Sequence, residues 1–120
     1  MELQEVVQQL QKHKIVESIL LFGSSLHKKL PRDVDICIVT SQKIKFNEKL
    51  RLLRDLPEVY DVSFYDDLPL HLQKIVLSEG KILFTRNYYA LLKLMQYIEL
   101  EYPRYAAFLQ EYNAQRMAEI

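Results

Sequence analysis

The chain has only two glycines, one cysteine and no tryptophan in 120 residues, and its charges cancel, with sixteen basic and sixteen acidic side chains. Each scarcity excludes something. A single cysteine, Cys37, rules out an intramolecular disulfide framework and suits a reducing compartment. A formal net charge of zero leaves no global field to draw in nucleic acid or an anionic membrane, so any polyanion must be read locally. No apolar run approaches the roughly 20 residues that span a bilayer, and the polar, acidic start Met1-Glu2-Leu3-Gln4-Glu5 does not read as a signal peptide. The expectation is a cytoplasmic protein with no membrane partner.

What is present fits one domain over residues 1–120, with a real core and no room for a separate substrate domain. Leu3, Val6, Val7 and Leu10 recur at helical spacing, which predicts an amphipathic helix over 2–13. A strand follows from Ile15 to Phe22, and Gly23-Ser24-Ser25 ends it and can open a short helix. Asp33 to Val39 reads as the second strand, 45–55 as a helix stopped by Pro57, and Glu58 to Tyr65 as the third strand. A short helix from Leu70 to Ser78, capped by Gly80, leads into the brief strand 81–84. Residues 87–118 form an aromatic-rich helical tail, expected to bend or break at Pro103. About two-thirds of that tail's aromatic surface is expected to cover the sheet. The resulting fold class is α+β: a small mixed sheet of about four strands, with helices packed on one face and a helical C-terminal tail.

Three features suggest chemistry. Asp33 and Asp35 sit at i and i+2 on a strand, so they share a face while Val34, Ile36 and Ile38 point the other way. Adjacent like charges repel, and a divalent cation between them would account for the pairing. Gly23 at the end of a buried strand lets an anion approach the backbone, and Ser24 and Ser25 add hydroxyl donors. Asp61 interrupts the apolar and aromatic third strand, where a charge is costly unless paired or liganded. Asp66 and Asp67, ahead of Pro69, read as turn formers.

The run Leu-Phe-Gly-Ser at 20–24, the segment Asp33-Val34-Asp35-Ile36-Cys37-Ile38-Val39 and the later Asp61 resemble the DNA polymerase beta-type nucleotidyltransferase superfamily. They are most similar to the minimal nucleotidyltransferases that pair with a HEPN-domain protein, over roughly residues 15–85. That resemblance implies attack on the α-phosphate of a nucleoside triphosphate with release of pyrophosphate. It implies that Gly23, Ser24, Ser25 and Lys29 hold the triphosphate, that Asp33 and Asp35 ligate magnesium, and that Asp61 binds a second magnesium ion beside the acceptor and helps deprotonate it. ATP is the expected donor and a HEPN toxin the expected acceptor, which would make the chain a type VII-like antitoxin, with room left for an oligomer. Two alternatives stay open: a non-catalytic subunit that masks a HEPN partner, and the same chemistry on a small molecule or an RNA end. The spacer departs from the pattern, because the bulky Leu26-His27-Lys28-Lys29-Leu30 replaces the longer, glycine-containing loop of close relatives.

Overall fold

The computed structural model describes residues 1–23 and 34–118, with side chains described as far as Gln115. The elements are α1 (Leu3–Gln11), β1 (Val16–Phe22), β2 (Val34–Thr40), α2 (Phe46–Leu53), β3 (Tyr60–Phe64), α3 (Leu70–Glu79), β4 (Lys81–Thr85) and α4 (Tyr88–Ala118). The four strands form one mixed sheet in the order β3-β2-β1-β4. β1 runs antiparallel to both β2 and β4, whereas β2 and β3 are parallel, the chain crossing between them through α2. The α+β class and the four-strand mixed sheet are as the sequence predicts. The serine turn after Gly23, with any short helix it opens, falls outside the described residues.

The helices cover both faces of the sheet, not one. Val6 and Leu10 of α1 and Leu52 of α2 pack with Ile19, Ile36, Ile38 and Phe64. On the opposite face, Val76 and Leu77 of α3 and Leu91 and Ile98 of α4 pack with Leu20, Cys37, Val39 and Tyr65. The reason lies in the two central strands. Ile19-Leu20 and Ile36-Cys37-Ile38-Val39 are apolar at consecutive positions, so both faces shed water when covered.

The tail differs from expectation in two respects. It does not break at Pro103: α4 is one helix that continues through it, although proline cannot donate to the carbonyl of Glu99. Asn87 starts it, its Oδ1 accepting from the Ala90 N–H at 3.1 Å. Of the tail's seven aromatic side chains, Tyr88, Tyr89, Tyr97, Phe108 and Tyr112 are exposed, and only Tyr102 and Tyr105 are half-buried. Gly80 does cap α3, but in an extended conformation at φ −71°. A Cβ there would strike the Val76 carbonyl and lie 3.3 Å from that of Leu21, so close packing accounts for the glycine.

Candidate active site

The parallel pairing of β2 and β3 sets Asp35 directly opposite Asp61. Residues opposite one another in a ladder share a face, so both carboxylates stand on the α3/α4 side, with Cys37 and Ser63 next along it. Asp35 is half-buried and Asp61 is exposed. Asp61 therefore lies on an edge strand facing water, and its cost is lower than a place inside a buried strand would impose. Its functional interest rests on the register with Asp35.

On the other side of β2, Phe22 pairs with Asp35, and the next residue, Gly23, takes φ +79°. A Cβ on Gly23 would overlap Oδ2 of Asp35 and sit 3.0 Å from its Cγ. Glycine is thus required twice over, by a left-handed backbone and by the carboxylate packed against it. The composition singles out Gly23, but its contact with Asp35 is visible only in three dimensions.

Asp33, Ser24, Ser25 and Lys29 lie outside the described residues. Among the described residues, no group of three or more His, Cys, Asp or Glu could hold a metal ion. Asp35 and Asp61 are two hard oxygen donors side by side, the donor type that magnesium takes, and Asp33 is the sequence's candidate for a third.

Farther along the same face the chemistry fades into core. Burial, with a smaller contribution from Asp66, pushes the Cys37 thiol up to about 12, so it is no nucleophile at neutral pH. Burial likewise raises Tyr65, whose hydroxyl finds no hydrogen-bond partner among the described residues. Asp66 and Asp67 fall in a 3-10 turn over Tyr65–Asp67, as expected of turn formers, and Asp67 pairs with Lys49 Nζ at 2.7 Å. A groove of about 390 Å³ between α3 and α4, lined by Lys74, Leu77, Met95, Ile98 and Tyr102 among others, shares no residue with the carboxylate pair.

Central strand β1 thus ends in a left-handed glycine packed against Asp35 of β2, which stands in register with Asp61 of β3. The chain matches the family model "Polymerase beta, Nucleotidyltransferase" over residues 4–89, and it belongs to that family. It is 31% identical over 71 residues to MJ1547 of Methanocaldococcus jannaschii, a protein named as a candidate protein adenylyltransferase. That similarity covers 58% of the chain and about half, 56%, of the length of MJ1547.

Similar solved structures show the same fold at low identity. One is a chain of an MntA–HpeT toxin–antitoxin double mutant, with a TM-score of 0.79, 16% identity and coverage of 98% of this chain and 99% of that one. Another comes from a toxin–antitoxin complex with AMP-PNP, at 0.76 and 18%, covering 97% and 99%. A third belongs to the tri-AMPylated Shewanella oneidensis HEPN toxin in complex with its MNT antitoxin, at 0.72 and 19%, covering 94% and 93%. No helix among the described residues is long and apolar enough to cross a membrane.

Proposed function

We propose that the chain transfers a nucleoside monophosphate, AMP from ATP, to a hydroxyl of a HEPN-type protein partner and so acts as its antitoxin. The observation that carries this reading is the register of Asp35 with Asp61 beside the left-handed Gly23. Family membership supports the reaction class, and the toxin–antitoxin complexes among the similar structures, one with an AMPylated toxin, support the partner and the donor.

In this reading the acceptor oxygen bonds to the α-phosphorus, the bond from that phosphorus to the bridging oxygen of the β-phosphate breaks, and pyrophosphate leaves. Asp61, exposed at the sheet edge, takes the acceptor's proton, since an acceptor on another protein must reach it from solvent. Gly23 leaves room for the triphosphate at the end of β1, with Ser24, Ser25 and Lys29 as its further contacts. Asp33, Asp35 and Asp61 are the residues that would hold magnesium. Bound there, two magnesium ions would neutralise charge on the reacting phosphates.

The test is incubation of the full chain with a HEPN-type protein, α-labelled ATP and magnesium, read by label and by intact mass. The expected result is one or more adenylyl groups on the HEPN-type protein and none with Asp61→Asn. Absence of transfer, with no binding of any nucleoside triphosphate, would overturn the reading.

A further inference from the structure

The exposed side of α4 is unlike the surface of an ordinary solvated helix. Tyr97 is 56% exposed, Leu100 72% and Phe108 61%, and Arg104 lies between them. These positions are three or four residues apart, so they make one stripe, on a different side of the helix from Leu91, Met95, Ile98 and Tyr102, which face α3 and the sheet. α4 is also long for its support. Its 31 residues span about 46 Å, whereas α3, against which it packs, has ten. From Ala107 to Gln115 only Leu109 is even half-buried. The second half of the helix therefore overhangs the body, consistent with a longest dimension of 51 Å against 32 and 28 Å.

The stripe is self-complementary about its own midpoint, near Tyr102 and Pro103. Turned antiparallel and laid on itself, Tyr97 of one copy meets Phe108 of the other, and Glu101 meets Arg104. Each contact then occurs twice, as a two-fold interface requires. Glu101 and Arg104 already lie 3.8 Å apart within one helix, with the Arg104 side chain 82% exposed and able to turn toward a neighbour. A partner of unrelated sequence would have no use for apolar and charged positions placed symmetrically about one point.

We infer that the stripe Tyr97, Leu100, Arg104 and Phe108 is a homodimer surface, occupied by α4 of a second copy of this chain running antiparallel. The two-fold sets the overhanging half of each α4 beside the body of its partner. This inference stands apart from the proposed chemistry and can fail without it.

The test is sedimentation equilibrium of the full chain, without any other protein, across a micromolar concentration series. The expected mass is twice the monomer's 14.3 kDa. Glu101→Arg, or Arg104→Glu, sets like charges opposite one another at both symmetry-related contacts and should lower the association constant about tenfold. The double reversal E101R/R104E should restore it, and Leu100→Ala should weaken it without changing the circular dichroism, since that side chain covers no core. A monomer at every concentration, single reversals without effect, or a double reversal no better than the singles would overturn the inference. So would a monomeric chain whose stripe is protected only when a HEPN-type protein is added.

Discussion

The two faces of the sheet are built from the same strands and differ in what they do. On the α1/α2 face, β2 and β3 present Val34, Ile36 and Ile38 and Tyr60, Val62 and Phe64, an unbroken apolar surface. On the α3/α4 face the same strands present Asp35 and Asp61 at one end and Cys37, Val39 and Ser63 toward the other. One face stabilises along its whole length; the second gives one end to chemistry and keeps the rest as core. Because β2 donates to both faces, Asp35 is held by a backbone that is fixed by the burial of Ile36 on its other side. A carboxylate site on a packed strand can keep its geometry without relying on a loop.

The largest way to sharpen this contrast is to neutralise the carboxylates. Asp35→Asn and Asp61→Asn should each lower adenylyl transfer by about 100-fold or more, while thermal melting shifts little, because neither side chain is in either apolar core. Equal transfer by Asp61→Asn would break the division, and a partner silenced equally well by an Asp35→Asn variant that no longer transfers would favour a subunit that merely masks it. Across the sheet the signs reverse. Ile38→Ala empties a fully buried site and should cost about 2–5 kcal/mol of stability, with transfer per folded molecule unchanged, as denaturant titration beside a specific-activity assay would show.

Gly23→Ala tests the boundary between the two roles. The left-handed backbone alone costs about 1–2 kcal/mol for a residue with a Cβ, and the new methyl must also displace Oδ2 of Asp35. A modest drop in melting temperature should therefore accompany a loss of transfer out of proportion to it. The smallest effect is at Cys37. Its thiol is raised to about 12 by burial, from an ordinary value of 9.0. The unfolded chain gives up this proton first, so the contribution to stability is intact below about pH 9 and declines as pH rises toward 12. Cys37→Ala should flatten the alkaline limb of a stability–pH curve, and wild-type Cys37 should resist alkylation at pH 8 until the chain unfolds.

Much of this was legible in the residues, because period and punctuation are local. Each strand and helix falls where alternation, helical spacing and proline or glycine place it, with ends shifted by a residue or two. The pairing of Asp35 with Asp61 was not legible, since it depends on a parallel register made by the crossover through α2. Nor was the reason for Gly23, whose constraint is a carboxylate on a neighbouring strand. The second helical layer was signalled by consecutive apolar residues in β1 and β2, and one-sided alternation is the wrong template for such strands. Pro103 shows the limit of local rules in the other direction: one missing donor in a 31-residue helix does not end it.

The parallel β2–β3 pair has a consequence for when the site exists at all. An antiparallel hairpin could bring two carboxylates together early, through a short loop. Here the chain must leave β2, form α2 and return before Asp61 can lie beside Asp35. The acidic pair thus closes with the slower, non-local contacts of the molecule, and β3, an edge strand hydrogen-bonded on one side only, is among the first to fray. A nascent or partly opened chain carries β1 and β2 but no complete site. Competence for chemistry is then a report that folding has finished, and amide exchange in β3 should track the loss of activity more closely than exchange in β1.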